Sequence, residues 1–82
     1  MKFIKVKKRK FYPTWVSNRR IKGYKAYVFM IPDLKLYHFH IIYENNIIYV
    51  SLEDDLKFSN FRTCCKVAEA FIKNYIKRGK TK

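Results

Sequence analysis

The sequence has 82 residues but only two cysteines, two glycines and two prolines. Cys64 and Cys65 are neighbours in the chain, and adjacent cysteines seldom reach the geometry of a disulfide. A disulfide framework is therefore excluded, and we expect a reducing compartment, the cytoplasm. Because Gly23 and Gly79 are far apart, the chain also lacks a glycine-rich loop that could cradle a phosphate group.

Long apolar runs are lacking as well. No stretch approaches the ~18 consecutive apolar residues that a membrane-spanning helix needs. The segment 1–10 has a charge at nearly every second position and lacks the apolar centre of a signal peptide. We therefore expect no membrane association. The length favours a single domain, residues 1–82, because each half of a divided chain would be too small to bury a core.

Acidic residues are scarce, since 6 Asp and Glu face 19 Lys and Arg, which gives a formal net charge of +13. Such an imbalance makes a compact chain of 10.1 kDa repel itself unless a polyanion binds. Hydrophobic residues nevertheless make up 49% of the sequence and aromatic residues 18%, which excludes a disordered basic tail. The composition predicts a small folded domain with a cationic surface.

The positive charge is concentrated at the two ends of the chain. Residues 1–25 contain ten basic side chains and no acidic one, whereas residues 26–65 contain three basic and five acidic side chains. Residues 66–82 contain six basic side chains and one acidic one. We interpret residues 1–10 as a basic N-terminal strand or arm and residues 78–82 as a basic tail. The middle of the chain is then a nearly neutral apolar framework.

The strongest local pattern is that of a β-hairpin. Segments 34–43 and 47–52 are rich in aromatic and β-branched residues, and Asn45 and Asn46 lie between them. Asparagine tolerates a positive φ, so these two residues predict a type I′ turn. Such a turn would pair the two residues that flank the asparagines.

A further strand is predicted at 24–31, which ends at the turn signal Pro32-Asp33. A tight turn there would pair Ile31 with Leu34. The two registers together predict a core face of Ala26, Val28, Tyr37, Phe39, Ile41, Tyr43, Ile48, Val50 and Leu52. They predict an opposite face of Lys25, Tyr27, Phe29, Leu36, His38, His40, Ile42, Tyr49, Ser51 and Glu53. One apolar and one mixed face are typical of an antiparallel sheet that is covered on one side.

The two ends of the chain complete the predicted fold. A fourth strand at 2–8 would direct Ile4 and Val6 inward, and the segment 13–23 reads as a loop. From Phe61 the apolar residues follow a helical spacing, at Phe61, Cys64, Ala68, Phe71 and Tyr75, and Asn60 or Ser59 can cap the start. We predict an α+β fold, a small antiparallel sheet of three to four strands with one C-terminal amphipathic helix packed on one face.

Basic residues near aromatic ones predict a nucleic-acid-binding surface, because lysine and arginine neutralise phosphates and aromatic rings stack on bases. The candidate binding residues are Lys5, Lys7, Lys8, Arg9, Lys10, Arg19, Arg20, Lys22, Lys25, Tyr27, His38 and His40. In architecture alone, strands followed by one helix on a sheet resemble three-stranded DNA-binding domains such as integrase arm-binding modules. We predict a non-enzymatic nucleic-acid-binding module that prefers double-stranded DNA to RNA.

A protein-binding role is the first alternative. The cationic surface would then dock on an acidic host protein or on a nucleic-acid-handling complex, as the surface of a small viral effector would. The chain would act as a monomer, or as a homodimer joined through a sheet edge, because unpaired edge strands can extend a sheet.

A metal-dependent nuclease is the second alternative. Asp33 after a proline, followed later by Asp55 and Lys57, matches the loose pattern PD…(D/E)xK. In that pattern two carboxylates hold Mg²⁺ and the lysine helps to activate a water molecule. The pattern is common by chance, and the same aspartates also suit a turn and an acidic cluster that precedes a helix.

A zinc site and a tryptophan wedge are weaker candidates. His38 and His40 share one strand face, but the predicted helix places Cys64 and Cys65 on the other side of the sheet. We therefore expect no metal ion and no cofactor. Trp15 could insert into nucleic acid, but a single tryptophan near a proline more often closes a small core, which is the interpretation we favour.

Overall fold

The computed structural model describes residues 2–7, 12–18 and 20–78. These residues form, in chain order, β1 (Phe3–Lys5), β2 (Thr14–Ser17), β3 (Tyr24–Ile31), β4 (Leu36–Tyr43), β5 (Asn46–Val50), a 3₁₀ helix (Ser51–Asp54) and α1 (Phe61–Lys77). Each strand pairs antiparallel with the next, so the strand order across the sheet follows the chain. The predicted α+β class is confirmed, but the described sheet has five strands rather than three to four.

The additional strand is β2, which lies in the segment that the sequence predicts as a loop. It pairs with both β1 and β3, and its Trp15 lies opposite Val28. The indole ring packs against Tyr37 and Phe61, with ring-centroid distances of 6.0 and 4.6 Å. Trp15 therefore closes the core, as predicted. Burial of this large ring explains why residues that follow Pro13 form a strand.

In β1 the side chains alternate in the opposite sense to the prediction. Phe3 pairs with Ser17 and packs against the core, whereas Ile4 pairs with Val16 and is 56% exposed. The prediction that Ile4 faces inward is therefore wrong, and Val6 follows on the same side of the alternation as Ile4. The larger phenylalanine takes the inner position because it buries more apolar surface there.

The turn between β3 and β4 is longer than predicted. It comprises four residues, 32–35, and pairs Ile31 with Leu36 instead of Leu34. Lys35 adopts a positive φ of 54°, which closes this wider turn. Because the register differs from the prediction by two residues, every side chain of β3 and β4 stays on its predicted face. Ala26, Val28, Phe39 and Ile41 are accordingly fully buried.

The turn between β4 and β5 also differs from the prediction. Glu44 and Asn45 have the positive φ values, 47° and 70°, so Tyr43 pairs with Asn46. The register then shifts between Ile41 and Ile42, where a β-bulge interrupts the pairing.

The bulge changes which residues of β5 face the core. Tyr49 pairs with Ile41 and packs on the helix side, so its predicted place on the opposite face is wrong. Val50 pairs with the outward-facing His40, and Leu52 is 40% exposed, so neither lies in the core as predicted. A displacement of one residue exchanges the two faces of a strand.

The helix α1 packs on the core face of the sheet, against β3 and β4. Its buried side chains are Cys64, Ala68 and Ile72, and Phe61, Phe71 and Tyr75 pack around them. Asn60 caps the helix, since its Oδ1 accepts a hydrogen bond from the backbone N–H of Thr63 at 3.0 Å. Among the described residues, no helix has the length and apolarity that a membrane crossing requires.

Ser51, predicted on the open face, is instead fully buried and joins β4 to the segment before α1. Its Oγ accepts a hydrogen bond from the backbone N–H of Phe39 at 2.9 Å and donates one to the carbonyl of Leu56 at 3.1 Å.

We predict that Ser51→Ala lowers the free energy of unfolding by about 1–3 kcal/mol, because two buried groups lose their partner. Urea denaturation measures this difference. Ser59→Ala at an exposed position is the control, and an equally small effect of both changes would contradict the prediction.

Candidate nucleic-acid interface

The sheet face opposite α1, called here the open face, has a cluster of four rings at its centre. This ring cluster consists of Tyr27, Phe29, His38 and His40, which the register of β3 and β4 brings together. The ring of Phe29 stacks against His38 at 5.2 Å and against Tyr27 at 6.2 Å, and it lies 4.5 Å from His40. All four side chains are half-buried, so their rings contact one another and remain accessible from outside.

Two adjoining grooves lie beside the ring cluster. The central groove has a volume of about 380 Å³ and is lined by Tyr27, Phe29, His40, Ile42 and Ile47. The histidine groove has a volume of about 450 Å³ and is lined by Tyr12, Phe29, Met30, Ile31, His38, His40 and Leu52. Because they share Phe29 and His40, the grooves form one continuous depression.

The rims of this depression are apolar and unusually exposed. Tyr12 and Ile47 are each 59% exposed, and Leu52 is 40% exposed. Large apolar side chains that cluster on one face, instead of being scattered singly, mark an interaction surface. The open face is thus a candidate binding surface on packing grounds alone.

The surroundings of the two histidines of the ring cluster favour the neutral form of each imidazole. Burial lowers the pKa of His38 below the ordinary value of 6.5, and the neighbouring His40 lowers it further. Burial also lowers the pKa of His40, while the carboxylate of Glu53 acts in the opposite direction. The centre of the open face therefore presents aromatic surface and neutral nitrogen atoms instead of positive charge.

The predicted basic residues lie around the ring cluster more than within it. Lysine occurs twice in the described strands: Lys25 is on the open face beside Tyr27, and Lys5 is on the helix side, 5.9 Å from the ring of Trp15. Lys7, Arg20 and Lys22 are exposed in the connections before and after β2. Lys8, Arg9, Lys10 and Arg19 lie outside the described residues.

The helix carries a second group of basic side chains on the far side of the molecule. Arg62, Lys66, Lys73 and Lys77 are exposed on α1, whose inner face packs on the sheet. The C-terminal positive charge therefore does not join the open face in one patch. Among the described residues, basic side chains lie on several sides of the domain, whereas the ring cluster lies on the open face alone.

The nuclease pattern does not assemble into a metal centre in the described residues. Asp33 is exposed in the turn between β3 and β4, and Phe58, the residue after Lys57, pairs with Tyr37 of β4. Lys57 contacts Asp55 at 2.7 Å, which lowers the pKa of that carboxyl through a hydrogen bond and charge attraction. Within the part of the chain that is described, no three His, Cys, Asp or Glu residues come together to hold a metal ion.

The cysteines lie on the opposite side of the sheet from the histidines. Cys64 is buried against the core and Cys65 is half-buried beside it. Burial raises the pKa of Cys64 to about 12 and that of Cys65 to about 11, so both remain protonated thiols. Protonated thiols are poor nucleophiles and poor metal ligands.

Phe29 lies at the centre of the site, on the face where the sequence predicts it among aromatic residues that could stack on bases. It contacts the other three rings and lines both grooves. The alternation of inward and outward side chains along β3 is the sequence signal that places Phe29 on the open face. Tyr49 instead packs on Phe71 at 4.1 Å on the helix side, and its hydroxyl donates to Asp54 at 2.7 Å.

No protein-family model, curated protein or solved structure matches this chain.

We predict that acid destabilises the protein through His38 and His40. Folding lowers the pKa of both, so the unfolded chain binds more protons as the pH falls below 6.5. This contribution to stability is complete above pH 6.5 and is lost as the pH falls through the folded-state pKa values. Urea denaturation at about pH 7.5 and about pH 5.5 should give a lower free energy of unfolding at the lower pH.

The matched control for this prediction removes the titrating groups and keeps the rings. In the double variant His38→Phe/His40→Phe, the free energy of unfolding should change less between the two pH values. An equal change in the variant and in the unmodified protein would show that other groups cause the pH dependence.

Proposed function

We propose that the protein is a non-enzymatic nucleic-acid-binding module that uses the open face. The observation that carries this proposal is the accessible ring cluster, set between apolar grooves on a chain with a net charge of +13. Aromatic rings stack on bases, and a positive potential attracts the phosphate backbone. The two free cysteines agree with a reducing compartment such as the cytoplasm.

The geometry favours single-stranded nucleic acid over the double-stranded DNA expected from the sequence. Bases in a duplex are stacked on each other and present only their edges to a protein. The open face offers rings and apolar grooves, and Lys25 is the lysine that its strands contribute. Such a surface suits bases that are splayed out of a single strand, whereas a duplex would leave the grooves empty.

The phosphates of a bound strand would contact basic residues at the margins of the open face. Lys25 lies on the face itself, and Arg20 and Lys22 lie in the connection between β2 and β3. In this arrangement the rings provide stacking and the basic margin provides most of the salt-dependent affinity.

A titration with labelled nucleic acids tests the proposal directly. Fluorescence anisotropy would compare single-stranded DNA, single-stranded RNA and duplex DNA of one length, at about 50 mM and about 200 mM salt. We expect the single strands to bind more tightly than the duplex, and every affinity to fall at the higher salt. A failure of all three to bind at the lower salt would exclude the proposed function.

A protein-binding role is the second candidate, because the rims of the depression are apolar. Ile47 and Leu52 would suit an acidic protein partner that also carries apolar side chains. A partner captured on the protein after nuclease treatment, and lost on Ile47→Asp, would favour this role. The same capture abolished by nuclease treatment would favour nucleic-acid binding.

We predict that position, and not only charge, decides the effect of removing a lysine. Lys25→Gln should weaken the binding of single-stranded DNA by about three- to tenfold and reduce the salt dependence by about one phosphate contact. Lys66→Gln removes the same charge from the outer side of α1 and should change the affinity less than twofold, a rough expectation for a distant surface charge. Equal losses for the two variants would contradict binding through the open face.

A further inference from the structure

His38 contains a buried polar atom that lacks a partner. Its Nδ1 has no hydrogen bond to any of the described residues. A buried N–H without an acceptor is less favourable than an unpaired lone pair on nitrogen. The single proton of the neutral ring therefore belongs on Nε2.

The position of that proton determines what His38 offers to a ligand. Nε2 is at the far end of the imidazole ring from the backbone, and His38 lines the histidine groove. With Nδ1 buried, the accessible edge of the ring carries the Nε2–H group. His38 therefore adds a hydrogen-bond donor to a lining that also includes the apolar side chains of Phe29 and Leu52.

The walls and the charge of the domain define the occupant. A planar, apolar group would stack on the rings, and a carbonyl oxygen would accept the hydrogen bond from Nε2. The net charge of +13 favours an occupant that belongs to an anionic chain. A nucleobase in a single strand meets all three conditions, and a groove of about 450 Å³ has room for one.

We propose that the histidine groove binds one unpaired, carbonyl-bearing base, stacked beside Phe29 and hydrogen-bonded by Nε2–H of His38. Thymine and uracil carry such carbonyl oxygens, whereas adenine has none. This inference rests on the proposed function and assigns a ligand to one part of the open face. The central groove, which shares Phe29 and His40, would hold the neighbouring part of the strand.

The first test separates the contribution of the bases from that of the backbone. The anisotropy titration would use labelled oligothymidylate and a strand of the same length in which every sugar lacks its base. We expect the abasic strand to bind about tenfold more weakly, since stacking on aromatic residues is lost. Equal affinities would overturn the base groove but leave the proposed function intact. If neither strand binds at low salt, both the base groove and the proposed function are excluded.

The second test concerns the hydrogen bond. His38→Phe keeps a ring at this position and removes the Nε2–H donor, so oligothymidylate should bind about three- to tenfold more weakly. Binding of the abasic strand should not change. An equal loss for both strands would overturn the assigned role, as would an unchanged affinity for oligothymidylate.

A spectroscopic measurement checks the tautomer without any substitution. In a two-bond ¹H–¹⁵N correlation spectrum of the unmodified protein, His38 should be protonated at Nε2 and not at Nδ1. Addition of oligothymidylate should shift the Nε2 resonance. A proton on Nδ1, or an Nε2 resonance that does not respond to saturating oligothymidylate, would overturn the proposal.

Two other occupants of the groove give different results. If a second copy of the chain fills the histidine groove, the free protein should sediment as a dimer and the Phe29→Ala variant as a monomer. If an acidic peptide fills it, polyglutamate binds as tightly as oligothymidylate and loses affinity on His38→Phe. Either result would overturn the assignment of a base to this groove.

Discussion

A single helix can cover only one face of the sheet, and the rest of the structure follows from this limit. With 17 residues, α1 is about 25 Å long and lies across β3 and β4. The small side chains of Cys64 and Ala68 let it approach closely enough to bury Val28 and Phe39 completely. In the described part of the chain, no second layer covers the other face. Among the described residues, the outward side chains of β3 and β4 are therefore shielded by one another and by neighbours such as Ile47 and Leu52.

The ring cluster is the consequence of that mutual shielding. Phe29 is half-buried because Tyr27, His38 and His40 surround it, not because a helix lies above it. The contacts that remove the rings partly from water also lower the pKa of both histidines, so the cluster stays uncharged near neutral pH. Packing and electrostatics thus produce the same result, an apolar surface with a few nitrogen atoms that can form hydrogen bonds.

How much of the fold could be predicted depended on whether the predicted strand pairing was displaced by an even or an odd number of residues. The alternation of Ala26 and Val28 with Tyr27 and Phe29 is a property of β3 itself, and an error of two residues in its pairing left both faces intact. In β5 the turn at Glu44 and Asn45 shifts the pairing by two residues, which keeps the faces, and the bulge at Ile41 and Ile42 then adds the single residue that exchanges them. Two adjacent asparagines could not identify that turn.

The position of Tyr49 was unpredictable for the same reason. Its ring lies 4.1 Å from that of Phe71, more than 20 residues later in the chain, and local sequence does not report such a contact. The extra strand β2 likewise depends on the packing of Trp15 against Phe61. The charge of each segment can be counted from the sequence, but the face on which each charged side chain lies cannot. Lys5 and Lys25, both in the basic N-terminal segment, lie on opposite faces of the sheet.

The charge and the apolar face are best understood together. An exposed apolar depression on a neutral domain would favour association of two copies through that face. On this chain each copy carries a net charge of +13, so two copies that approach one another repel. In the proposed function, a nucleic-acid strand would reverse the sign of that interaction, because its phosphates would be attracted while its bases would cover the rings. A charge that lies around the open face more than on it would then have a physical use. It would discourage self-association through the rings and leave their surfaces free for the proposed stacking on bases.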